Sequence, residues 1–173
     1  MKKLLLLFFA IAITACKPDP KPLKKVAPEK KTEATTNIEI IDYKGLETIL
    51  SKNDDKTYVI NFWATWCKPC VEELPAFEKL HENYKDKNVE VILVSLDFTS
   101  HIETRLLPFI KEHNLKPKVV VMGDPDQNTW IPKVSTEWSG AIPATVIYNK
   151  NNRKFYEQSF TYELLENEIT KIN

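Results

Sequence analysis

Thr57-Tyr58-Val59-Ile60-Asn61-Phe62-Trp63-Ala64-Thr65-Trp66-Cys67-Lys68-Pro69-Cys70 opens as a run of β-branched and aromatic residues without clean alternation and closes on two cysteines. A strand buried on both faces has that pattern. Val71, Leu74, Phe77, Leu80 and Tyr84 then recur at helical spacing, so the cysteines stand where a strand turns into a helix. A thiolate at Cys67 would face the free N–H groups and positive dipole end of that helix, which favours the charged form. Cys70, one turn further in, is placed to resolve a mixed disulfide. Pro69 fits a first turn, where a missing N–H costs nothing. Lys68 adds a positive charge that water screens if it is exposed. Pro75, inside the helical pattern, is expected to bend the helix near its start.

A structural zinc site and an inert buried pair compete with thiol exchange for the same two cysteines. Zinc needs four ligands, yet the third cysteine, Cys16, lies far away, and His81, His101 and His113 form no ligand-spaced pair. An inert pair fits poorly in a Trp-Cys-Lys-Pro-Cys turn at a strand–helix junction. Thiol chemistry is the leading expectation, with no metal.

Upstream, Lys2 and Lys3, the apolar stretch Leu4 to Ile13, and the small residues Thr14-Ala15 read as a signal peptide over residues 1–15. The apolar run is short for a membrane span. Ile13-Thr14-Ala15-Cys16 resembles a bacterial lipobox, which implies lipidation at Cys16; ordinary secretion with Cys16 incidental is the alternative. Residues 17–37 carry six Lys, three acids and four Pro, the composition of a solvated tether that could reach roughly 70 Å. A soluble spacer is favoured over a headgroup-binding segment.

Residues 38–173 are enough for one domain, with sixteen Lys/Arg against twenty-one Asp/Glu. That acidic balance leaves a nucleic-acid partner no electrostatic footprint. Ile38 to Ile41 is a short apolar run, and the pattern predicts strands at Thr57 to Trp63, Val89 to Leu96, Lys118 to Met122, Ala144 to Tyr148 and Lys154 to Phe160. Helices are predicted at Tyr43 to Ser51, after the cysteines, at His101 to His113 with Pro108 as a local defect, and at Tyr162 to Ile172 with Leu164, Leu165 and Ile169 inward. Residues 124–139, with Trp130, Pro132 and Trp138, read as an irregular or partly helical insertion near the functional end. The order implies an α/β fold with helices on both sides of a mixed sheet.

Phe62 to Cys70, Glu72-Glu73-Leu74-Pro75 and Gly140-Ala141-Ile142-Pro143-Ala144-Thr145 together resemble the thioredoxin superfamily, in its TlpA/ResA-like branch of membrane-anchored thiol–disulfide oxidoreductases. The resemblance spans residues 38 to 173 and implies a thioredoxin-like three-layer sandwich. It implies that the Ile142–Pro143 bond is cis and that Pro143 packs beside the cysteine pair, although a trans proline opening a strand would also fit the sequence. It gives Glu73 a role as proton donor or acceptor for Cys70, whereas Glu72 is expected only to favour the helix dipole. One departure from typical thioredoxins is Asn61, where they bury an aspartate; Asn61 cannot take up a proton.

The resemblance implies disulfide exchange with envelope proteins on the periplasmic side of a membrane. Cys67 would be the nucleophile and Cys70 the resolving thiol, acting more as reductant than oxidant. Trp66, Lys68, Pro69 and Ile142 would contact substrate, and Trp63 would be core. No cofactor is implied, since the dithiol is the redox group, and a membrane thiol–disulfide protein would supply electrons to a monomer held by Cys16. Cytochrome c maturation is a family precedent. Two rivals remain: a non-catalytic thioredoxin-fold binding lipoprotein, and a thiol peroxidase, which would need a Pro-x-x-x-Thr-x-x-Cys frame that this chain lacks.

Overall fold

All seven residues of the strand Thr57–Trp63 are buried, as a central strand covered on both faces requires. It is one of six strands in the computed structural model, which describes residues 38–172. The expected leader, Cys16 and tether lie outside the described residues.

In chain order the elements are β1 (Glu39–Ile41), α1 (Tyr43–Leu50), β2 (Thr57–Trp63), α2 (Lys68–Tyr84), β3 (Val89–Ser95), α3 (Leu107–Glu112), β4 (Lys118–Met122), α4 (Gln127–Val134), β5 (Ala144–Tyr148), β6 (Arg153–Tyr156) and α5 (Tyr162–Ile172). The strands form one sheet in the order β1-β4-β3-β2-β5-β6. The first four run parallel, while β5 is antiparallel to both β2 and β6. The mixed sheet with helices on both faces agrees with the α/β three-layer expectation.

Side chains alternating along β2 feed two separate cores. Val59 and Trp63 join Leu74, Phe77 and Leu80 of α2 with Leu165, Ile169 and Ile172 of α5 on one face. Tyr58, Ile60 and Phe62 join Leu46, Ile49 and Leu50 of α1 with Trp130 and Val134 of α4 on the other. Each layer is thus written in the period of its own element. The parallel strands β2 and β3 end side by side at Trp63 and Ser95. In open sheets of this kind ligands gather at the carboxyl ends of the strands, and α2 begins there.

Several expectations need correction. The helix expected over His101 to His113 is three pieces: a 3₁₀ turn at Thr99–His101, a π-helical stretch at Ile102–Leu106, and α3 with Pro108 in its first turn. Proline lacks the N–H that a continuous helix needs, and it is tolerated at the new start. The last strand stops at Tyr156, so Phe160 is buried from a loop rather than from the sheet. Leu164 is not a core residue: it is exposed, and the inward stripe of α5 is Leu165, Ile169 and Ile172. The region 124–139 is partly helical, as expected: α4 covers Gln127–Val134 with irregular chain on either side, and Trp130 and Trp138 belong to the core. Trp130 and Trp138 pack edge-on at 5.6 Å, and Phe62 lies 4.7 Å from Trp138.

Candidate active site

Cys67 caps the N-terminus of α2 from an extended backbone conformation, and its Sγ lies 3.4 Å from the Cys70 N–H. Cys67 and Cys70 are joined as a disulfide, S–S 1.97 Å, with Cα atoms 5.3 Å apart. Cys70 is fully buried, whereas Cys67 keeps 6% of its surface exposed, so an incoming group meets Cys67 first. The sulfur therefore faces the helix end that favours a thiolate. Pro69 occupies the first turn. Lys68 and Glu72 form an exposed pair at 3.7 Å, where water screens both charges. Trp63 is buried against Phe109, and Trp66 is 54% exposed beside the cysteines.

The Ile142–Pro143 peptide is cis, which rules out the trans alternative. It brings the Ile142 carbonyl oxygen to 3.7 Å from Cys67 Sγ, so the loop forms one wall of the site. The loop is held from outside the motif. Trp138 Nε1–H donates to the Ala141 carbonyl at 2.7 Å, and the Ser139 N–H and hydroxyl donate to the Glu157 carboxylate at 2.7 and 2.5 Å. Gly140 supplies a positive φ of 94° at the bend, a conformation that favours glycine.

Glu73 is buried on α2, one turn after Cys70. Its carboxylate accepts from Asn61 Nδ2 and from the Phe160 N–H, both at 2.8 Å. Burial pushes the Glu73 carboxyl up to about 7, because desolvation outweighs these two donors, which pull in the opposite direction. Asn61 Nδ2 also lies 3.2 Å from Thr145 Oγ1 on β5, while Asn61 Oδ1 is buried without a hydrogen-bond partner among the described residues. A single amide thus joins the acid to the strand that follows the cis-proline.

Three functional features escaped the sequence. Asp97, just past β3, is buried and takes hydrogen bonds from the Thr65 N–H at 3.0 Å, the Thr65 hydroxyl at 2.5 Å and the Ser95 hydroxyl at 2.8 Å. It fixes the turn leading into Cys67. An acid ending an apolar strand run was the available signal. The Phe160 N–H on Glu73 had none, since the pairing joins residues far apart in the chain. The Trp138 anchor of the cis-proline loop had none either.

The AhpC/TSA family matches residues 24–153. Among curated proteins, the thiol-disulfide oxidoreductase ResA of Bacillus cereus (strain ZK / E33L) is 33% identical over 139 residues, covering 79% of this chain and 75% of that protein. The thioredoxin-like protein YneN of Bacillus subtilis (strain 168) is 46% identical over 56 residues, 32% of this chain and 31% of that one. Among solved structures, StoA from Bacillus subtilis superposes with a TM-score of 0.52 at 22% identity, covering 66% of this chain and 83% of its own. A thioredoxin-family thiol:disulfide interchange protein from Chlorobium tepidum TLS gives 0.58 at 16% identity, covering 68% and 79%. At such identities the superpositions speak for the fold alone.

Proposed function

The chain belongs to the AhpC/TSA family, and from that footing we propose how its cysteine pair works, on which proteins and where. Its chemistry is thiol–disulfide exchange, the activity of its ResA relatives, carried by a pair at bonding distance. In the cycle, the Cys67 thiolate attacks one sulfur of a substrate disulfide. That bond breaks, a mixed disulfide forms, and the first substrate thiolate leaves to take up a proton. Cys70 gives its proton to the Glu73 carboxylate and attacks the Cys67 sulfur, which releases the second substrate thiolate. Two electrons have passed from the dithiol to the substrate, and Cys67–Cys70 is oxidised.

The observation that carries the reading is the position of Cys67, at a helix N-terminus and 3.7 Å from the carbonyl before cis-Pro143. An extended substrate segment could hydrogen-bond along that loop while its disulfide meets the one sulfur with an exposed edge. Trp66, Pro69 and Ile142 would surround it, with Lys68 at the rim. Glu73 suits proton exchange because its burial brings it near neutrality. The peroxidase frame has no counterpart here, since Ile60 and Ala64 stand where its Pro and Thr would be.

The finer reading is of a reductant outside the cytoplasm. The organisation is a signal peptide over residues 1–15, a lipid anchor at Cys16, a tether to residue 37 and one catalytic domain. Among the described residues, no helix is long and apolar enough to cross a membrane. Its substrates are disulfide-bearing envelope proteins, and a membrane thiol–disulfide protein re-reduces it. Insulin reduction tests the activity: the wild type is active and Cys67→Ser is not, and equal rates would overturn the assignment. Radiolabelled palmitate incorporated by the wild type but not by Cys16→Ser supports the anchor, and its absence from both would remove it.

A further inference from the structure

The ladder between β2 and β3 closes at Trp63 and Ser95, yet the two chains stay together beyond it. The Leu96 N–H donates to the Trp63 carbonyl at 2.8 Å, and Thr65 then binds Asp97 through both its N–H and its hydroxyl. Asp97 is itself fixed from behind by Ser95. The residue that follows Thr65 and the residue that follows Asp97 therefore leave a braced position. Those residues are Trp66, directly before Cys67, and Phe98.

Phe98 is 68% exposed, more than Ile40, Trp66 or Leu164, the other large apolar side chains left open to water among the described residues. Among the described residues its one ring partner is His101, met edge-on at 5.9 Å, and the backbone enters a 3₁₀ turn immediately after it. Isolated exposed apolar residues are ordinary on a protein surface. Phe98 differs in being fixed one residue beyond a buried carboxylate network, at the carboxyl end of the sheet, where the reactive sulfur lies. A ring held in water contributes little to stability and is available to a partner.

We propose that Phe98 is a specificity-determining residue: with Trp66 it forms an aromatic wall that selects polypeptide disulfides carrying an apolar or aromatic side chain next to the cystine. This rests on the thiol–disulfide assignment above and names the substrate class for the same site. The occupant is a substrate segment, because Trp66 directly precedes the reactive Cys67 and Phe98 directly follows the carboxylate that Thr65 binds. Trp66 directly precedes Cys67, the Ile142 carbonyl lies 3.7 Å from its sulfur, and Phe98 stands exposed just past the end of β3. Asp97 acts through Thr65 and is a positioning residue for the same wall.

The test uses the reduced full-length protein and two peptides with the same intramolecular cystine, one flanked by Leu and Phe and the other by Ser and Gly. The wild type is expected to favour the apolar peptide in kcat/KM. In Phe98→Ala that preference ratio falls about tenfold, mostly through KM, the size expected when one apolar side chain loses its contact. Phe98→Tyr restores the ratio. General disorder of the site lowers both rates together and leaves the ratio alone, so the ratio reads Phe98 itself. An unchanged ratio in Phe98→Ala, or no wild-type preference, overturns the wall while leaving disulfide exchange standing. A wild type inert toward both peptides would remove the parent assignment as well.

Discussion

Burial gives Glu73 two consequences that can be measured separately. Its carboxyl rises from an ordinary value of 4.5 to about 7, chiefly through desolvation. The fold therefore favours the protonated acid, and the associated stability is fully present below about pH 4.5 and lost as the pH rises through about 7. The difference is on the order of 3 kcal/mol. The melting temperature of the oxidised protein should thus fall by several degrees between about pH 5 and pH 8, and Glu73→Gln should flatten that slope. A slope equal in both proteins would show that Glu73 does not titrate there. In kinetics, the same substitution should slow resolution of the mixed disulfide by roughly a hundredfold and remove its pH dependence near 7. The two cysteines and the acid were legible in the sequence because their chemistry sits in one short motif. The Phe160 N–H, the partner that helps hold Glu73, was not, since it arrives from a loop 87 residues away.

Elements position this chemistry through contacts that lie between them. Trp138 carries both a core ring and the Nε1–H that anchors the Ala141 carbonyl ahead of cis-Pro143. Trp138→Phe keeps most of the packing and loses the anchor, so denaturant titration should show a loss of a few kcal/mol from the smaller ring and the missing bond. Its KM for peptide disulfides should rise more than its kcat falls, because the loop binds rather than reacts; the reverse split would contradict the anchoring role. Asp97→Ala strips two hydrogen bonds from Thr65 in the turn before Cys67 and one from Ser95 at the end of β3, and should cost about 2–4 kcal/mol by the same titration. Strands β2, β3, β4 and β5 were readable because apolar runs bounded by turns have few other interpretations. The π-helical stretch before α3 was not, since its spacing of Ile102, Leu106, Phe109 and Ile110 also suits a continuous α-helix. Leu164 failed for a related reason: apolar spacing does not say which of two neighbouring leucines meets the core, and on α5 Leu165, Ile169 and Ile172 take that stripe while Leu164 is exposed.

For the whole molecule, the parallel order β1-β4-β3-β2 and the antiparallel β5-β6 edge put α2 and the cis-proline loop at one end of the sheet. The fold class was legible because helical and strand periods alternate along the chain. The proposed wall was not, because the segments before Trp66 and Phe98 are joined only through the pairing of β2 with β3 and the Thr65–Asp97 hydrogen bonds beyond it. Everything proposed for the molecule depends on which sulfur attacks first. In a Cys16→Ser background, reduced Cys70→Ser mixed with a peptide disulfide should accumulate a covalent peptide adduct on Cys67, read by mass spectrometry of the intact protein and its digest, while Cys67→Ser accumulates none. An adduct forming as readily on Cys70 of the Cys67→Ser protein, or on neither variant, would contradict the account.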